Sequence, residues 1–255
     1  MIRIIFFIAK NTFKETIRNK ILYNILLVAG VALLLSMSFG DLSVFARGQV
    51  MADFGLATMS MTGLLLAVFI GVGMLGTEIT TKTVYGILTK PIHREAFIFG
   101  KFSGLIATLF LNFLLIAVLF FISIKFMGAS ESLSIVYAML LLLIEMTVIV
   151  AASMFFSSLT TPTLAAVFTL GFYIVGHLND LVNVSLVEHA NGAWYAVLKV
   201  FYYLLPNLEH FNIRTQIIYN LPVPSGYIPL AVLYGLLYAS LFLTLAAYLF
   251  SRKDV

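Results

Sequence analysis

Residues 102–124 read FSGLIATLFLNFLLIAVLFFISI, 23 residues without a charge, set between Lys101 and Lys125. An uncharged apolar run of that length matches the ~20 residues a helix needs to cross a ~30 Å hydrocarbon layer. It shows no period-two alternation over ten-residue segments, so it does not read as a strand of a membrane barrel. The same pattern recurs along the chain. Residues 21–39 are uncharged, as are 54–77 between Asp53 and Glu78. Residues 132–156 are apolar apart from Glu145, residues 163–178 form a shorter run, and 228–250 form the last. The expected fold is therefore an all-α integral membrane protein with six transmembrane helices, a single transmembrane domain over residues 1–255.

Composition supports this reading. Of 255 residues, 62% are hydrophobic and 10% charged, and mean hydropathy is +1.06. A soluble domain carries roughly 25% charged residues, and the low polarity also excludes a disordered chain. There is no cysteine, which removes disulfides, thiolate nucleophiles and thiolate-held metals or clusters. The net charge of +4 sits beside the apolar runs and forms no solvated stripe, so it signals topology and not nucleic-acid binding.

Residues 1–20 contain Arg3, Lys10, Lys14, Arg18 and Lys20. At 100° per residue, the first four fall within an arc of about 80°, with Phe6, Phe13 and Ile17 toward the other face. This predicts an amphipathic helix on the membrane surface. It is not a cleavable signal, because Lys10 interrupts a short apolar stretch. If the N-terminus is cytoplasmic, the inner segments also hold Lys82, Lys90, Arg94, Lys101, Arg252 and Lys253, leaving Arg47, Lys125, Lys199 and Arg214 outside. That 11-to-4 division of the 15 Lys and Arg favours both termini in the cytoplasm.

Two segments remain outside the spans. The loop 78–101 would be cytoplasmic, with a helical stretch, a Lys90-Pro91 break and a basic restart. The segment 179–227 would lie outside. Its stretch 193–205, with Trp194, Tyr195, Tyr202 and Tyr203, suggests an interfacial helix, followed by Pro206, Pro222, Pro224 and Pro229. No phosphate-binding loop, H-E-x-x-H or G-x-S-x-G motif occurs, so no catalytic residue is expected and none is assigned. Glu145, midway along the fourth run, is costly in a membrane. It reads either as a group on a translocation path or as a hydrogen-bonded carboxyl at a helix or subunit interface. His177, Asp180, Glu188, His189, Glu209 and His210 cluster loosely in sequence, but adjacent Glu-His pairs rarely ligate one ion together, and no metal is expected.

Four patches resemble the permease subunits of type-2 exporters of the ATP-binding cassette (ABC) class, the ABC-2 type permeases. The first is Glu78 with Thr83-Val84-Tyr85-Gly86-Ile87-Leu88-Thr89-Lys90-Pro91-Ile92-His93-Arg94 and Gly100-Lys101. The second is Ser157-Ser158-Leu159-Thr160-Thr161-Pro162 with Ala165-Ala166. The third is Leu205-Pro206-Asn207-Leu208-Glu209-His210-Phe211-Asn212, and the fourth is Phe250-Ser251-Arg252-Lys253-Asp254. Lys82-Thr83 stands where the family has Gly-Thr, and Thr89-Lys90 where it has Leu-Ser-like pairs. The resemblance implies a dimer of permeases, or a pair with a related chain, served by two separate ATPase subunits that bind ATP and Mg. It implies a coupling helix in 78–94, with Glu78, Thr81, Lys82, Tyr85, Lys90, Pro91 and Arg94 facing the ATPase. It also implies a connecting helix at the N-terminus and an outer segment at the dimer exit. Two other functions stay open at this stage. One is a proton-coupled secondary transporter using Glu145. The other is an ABC complex that drives an extracytoplasmic partner mechanically. A membrane-embedded enzyme lacks a catalytic constellation.

Overall fold

The computed structural model describes residues 2–42, 47–80, 94–126, 134–178, 199 and 206–252, the side chains of 41, 42 and 74–80 excepted. The described residues are mostly helical, without strands. In chain order they form α1 (Ile2–Ile17), α2 (Lys20–Leu42), α3 (Arg47–Thr80), α4 (Arg94–Phe126), α5 (Ile135–Leu159) and α6 (Pro162–His177). A 3-10 turn (Leu208–Phe211), α7 (Arg214–Ile218) and α8 (Tyr227–Arg252) follow. Of these, α2, α3, α4, α5 and α8 are long and apolar enough to span a bilayer.

The centre of the bundle is α5, with α3, α6 and α8 packed around it. Its sequence is apolar on every side and most of its residues are buried, as expected of a helix surrounded by other helices. By contrast α2 leaves Leu27, Val31, Leu34 and Leu35 exposed, and α8 leaves Leu230, Leu233, Leu237 and Leu241 exposed. Such broad apolar faces suit lipid or another membrane subunit and would be a liability in water. Most buried hydroxyls are satisfied inside their own helices: Thr62 donates to the Thr58 carbonyl, Thr108 to Gly104, Ser153 to Val150 and Thr169 to Ala165. In a medium without water this is the cheapest partner for a hydroxyl.

Several boundaries differ from the sequence expectation. The second run is expected at 54–77, but α3 begins at Arg47, so Asp53 lies within a helix. Residues 94–101, expected as the end of the loop, are the first two turns of α4. The fourth helix continues through Ser157, Ser158 and Leu159. The break falls only at Thr160-Thr161, with Pro162 in the first turn of α6, where its missing N–H is not needed. The fifth run forms a helix of 16 residues, about 24 Å long at 1.5 Å per residue. That is shorter than the hydrocarbon layer, so among the described residues five helices have spanning length.

The short α6 leaves room in the bundle, and the segment 206–226 fills it. Leu208 packs against Gly176, where an added Cβ would lie 2.6 Å from its side chain. The Phe211 ring lies against Gly235 of α8. Gly235 is eight residues past Tyr227, so the 3-10 turn sits about 12 Å below the start of α8. This part of the outer segment is therefore re-entrant. The interfacial helix expected at 193–205 lies outside the described residues except for Lys199.

Candidate functional site

Two regions combine charged residues with unusual burial. The first is the end of the bundle where α1, the start of α4 and the end of α8 meet. Gly100 and Gly104 stand one turn apart on α4, a small-xxx-small spacing that lets helices approach closely. A Cβ on Gly104 would lie 2.6 Å from Thr12 Cβ and 2.7 Å from the Ala9 carbonyl oxygen. One on Gly100 would lie 2.7 Å from Ile8 Cβ. The face that α1 buries is thus Thr12 and Thr16, while Phe6 and Phe7 stay exposed. The charged arc remains outward, with Arg3, Lys10, Lys14 and Arg18 all exposed.

Between these helices Lys101 is buried, its Nζ 5.5 Å from the centre of the Phe97 ring, and Phe97 stacks on Phe250 of α8 at 5.7 Å. Arg94, the first residue of α4, donates to the Ser251 carbonyl at the end of α8 at 3.2 Å. A cation there meets the free carbonyls and negative pole of a helix C-terminus. The ends of α4 and α8 are therefore joined by a ring stack and a charge-assisted hydrogen bond. Of the expected coupling residues, Arg94 is the one placed. Glu78 lies in the last turn of α3, but its side chain is outside the described residues, as are Thr81, Lys82, Tyr85, Lys90 and Pro91 altogether.

The second region surrounds Glu145, which is fully buried on α5. His177, the last residue of α6, brings Nε2 to 3.5 Å from Glu145 Oε1. The other ring nitrogen, Nδ1, lies 3.3 Å from the Tyr173 carbonyl. Tyr173 Oη is 3.2 Å from Ser60 Oγ on α3. A cavity of about 170 Å³ lies beside these groups, closed on the far side by Phe211, Asn212, Ile213 and Arg214. The re-entrant segment is secured by polar contacts. Asn207 N–H donates to Tyr234 Oη at 2.9 Å, Asn207 Oδ1 accepts from Glu209 N–H, and Asn212 Nδ2 donates to Glu209 Oε1 at 2.7 Å. Tyr227 Oη donates to the His210 carbonyl. Arg214 pairs with the Asp53 carboxylate and also donates to the Asp53 carbonyl.

Sequence reading singled out Glu145 but gave it no partner. The partner was accessible by arithmetic. In an antiparallel helical hairpin turning at Thr160-Thr161, residues equidistant from the turn lie side by side, and 145 and 177 are symmetric about 161. Expecting α6 to cross the whole bilayer hid this, because His177 then counted with the outer segment. Among the described residues no group of three or more His, Asp or Glu could hold a metal ion. Asp180, Glu188 and His189 lie outside the described residues. The neighbouring hydroxyls of Ser60 and Tyr173 share a hydrogen bond, and the Tyr173 ring lies 4.5 Å from the His177 ring.

A family model described as ABC-2 family transporter protein matches residues 6–255. A search of curated proteins finds no match. The match takes in all but the first four residues of α1 and every later helix, so the chain belongs to the ABC-2 transporter family and is a multi-pass membrane permease subunit of an ABC transporter.

Proposed function

We propose that this permease works as an exporter in the cytoplasmic membrane, as a dimer or with a related chain, driven by two separate ATPase subunits. The permease itself is not catalytic, and ATP and Mg bind to the partner. Both termini face the cytoplasm, in keeping with the 11-to-4 distribution of Lys and Arg. The observation that carries the coupling role is the joined end of the bundle. There α1 rests on Gly100 and Gly104, and Arg94, the first described residue after 81–93, holds the Ser251 carbonyl, so α1, α4 and α8 are joined where α4 begins. A push on that loop by an ATPase would move α3 and α4 together with α1 and α8. Helices packed this tightly rearrange in discrete steps and not by gradual deformation.

In this reading Glu78, Thr81, Lys82, Tyr85, Lys90, Pro91 and Arg94 form the contact with the ATPase, with charge-assisted hydrogen bonds from the charged members. The re-entrant segment and the rest of 179–227 close the outer exit, with Glu145 beside the path. ATP in place of a proton gradient is the driving force in this reading, and membership of the ABC-2 family supports it. The test is substitution of Glu78 and Arg94 by alanine. Each variant should insert normally yet leave ATP hydrolysis by the partner uncoupled from transport. Unchanged transport in both single variants and in the double variant would overturn the assignment.

A further inference from the structure

The cavity beside Glu145 carries an inference independent of what the permease exports. A backbone carbonyl only accepts hydrogen bonds, so His177 Nδ1, 3.3 Å from the Tyr173 carbonyl, carries a proton. That commits Nε2 to face Glu145 Oε1 at 3.5 Å. With no proton between them, an imidazole lone pair opposes a carboxylate oxygen. With two, an imidazolium opposes a neutral acid and its charge is unpaired. With one proton, both arrangements available are complementary: an acid O–H facing a ring nitrogen, or a carboxylate facing an imidazolium N–H. Among the described residues neither oxygen of Glu145 has a hydrogen-bond partner, and His177 Nε2 stands at 3.5 Å from Oε1.

We propose that Glu145 and His177 form a binding site for a single proton, held between Oε1 and Nε2 and exchanged through the adjoining cavity. The cavity volume of about 170 Å³ is room for roughly five waters at ~30 Å³ each, and its polar lining suits them. His177 is the entry side, with 26% of its side chain exposed against 1% for Glu145. The groups that set the local field come from every element packed on the pair. They are Asp53 of α3, Tyr173 of α6, Glu209 and His210 of the 3-10 turn, Arg214 of α7 and Tyr234 of α8. Arg214 is paired with Asp53, and Glu209 already accepts from Asn212, so among the described residues these charges have partners of their own. Any step of the cycle that parts α6 from α5 would break the shared site and let the proton exchange. No bond other than those to the proton forms or breaks.

The site is tested on the full-length chain in lipid nanodiscs, with ¹⁵N-histidine labelling and NMR across pH 5 to 9. There are four histidines, and His177→Asn assigns the signal. In the native protein Nδ1 should stay protonated throughout. In Glu145→Gln, which keeps the side-chain shape, the His177 titration midpoint should move by about one pH unit or more, the threshold for strongly interacting sites. Coupling is reciprocal, so His177→Asn must shift the titration of the Glu145 carboxyl, followed by infrared absorption, by a comparable amount. An unchanged His177 midpoint in Glu145→Gln would overturn the proposal. So would an unchanged Glu145 titration in His177→Asn, which serves if the first variant does not fold. Neither readout involves ATP or an exported substrate, so failure here is separate from failure of the transport assignment.

Discussion

Replacing Gly104 by alanine should detach α1 from α4. The new Cβ would stand 2.7 Å from the Ala9 carbonyl oxygen and 2.6 Å from Thr12 Cβ. Ordinary contact begins at 3.4 Å, so the backbone of α1 must retreat by about 0.7 Å to reach normal van der Waals distance from the oxygen. A carbonyl oxygen in a helix cannot rotate away as a side chain can. Overpacking of this kind typically costs about 1–3 kcal/mol, while alanine within a helix is favoured over glycine by about 1 kcal/mol. Gly171 of α6 supplies the control, because nothing lies within 4 Å of a Cβ built there, so Gly171→Ala keeps only the gain. The two variants should differ by about 2 kcal/mol, or roughly thirtyfold in the docking equilibrium. The chain has no cysteine, so spin labels can be placed on cysteines introduced at exposed Lys10 and Leu114. In Gly104→Ala the distance distribution should broaden and lengthen, and in Gly171→Ala it should not. Identical distributions in both would refute the claim that a glycine contact seats α1.

Gly176→Ala would press on the Leu208 side chain at 2.6 Å and loosen the re-entrant segment. A cysteine at Asn212 should then react faster with a membrane-impermeant thiol reagent, and an unchanged rate would count against the contact. Arg214→Ala should cost under ~1 kcal/mol, because both members of its ion pair are substantially solvent-accessible and such pairs contribute little. A large fall in unfolding temperature in detergent would contradict this. Tyr173→Phe removes the hydrogen bond between Tyr173 and Ser60 and should destabilise by about 1 kcal/mol. A Ser60→Ala, Tyr173→Phe double variant should cost little more than either single change, and additive losses would show that the two hydroxyls have other partners.

Much of the bundle was readable from hydrophobic run length alone. The uncharged stretch 102–124 announces α4, and the fully apolar pattern of α5 announces its central position. Charge positions are poor markers of the helix ends. Asp53 and Lys101 flank the apolar runs in sequence, yet both lie inside helices. Lys101 can do so because its stem is apolar and its ammonium rests near the Phe97 ring, the kind of accommodation that long basic side chains permit. The pairing of α1 with α4 was hidden for a different reason. Amphipathicity ranks faces by polarity, whereas α1 sets Thr12 against Gly104 and Ile8 against Gly100, a fit of shape. Glu145 announced itself by charge in an apolar run, but its partner depended on α6 stopping early. That stop depends on Leu208 and Phe211 arriving from 30 residues downstream to cover the vacancy, information no local window contains.

The most direct test of the central claim is to purify the tagged protein from its native membrane in mild detergent and weigh the intact complexes by mass spectrometry. Membership of the ABC-2 family and the joined end around loop 81–93 predict a complex of two permease chains with two cytoplasmic ATPase chains, each carrying a phosphate-binding loop. The complex should fall apart into permease alone when Glu78 and Arg94 are both replaced by alanine. A homo-oligomer of this chain that transports without any ATPase bound would contradict the account.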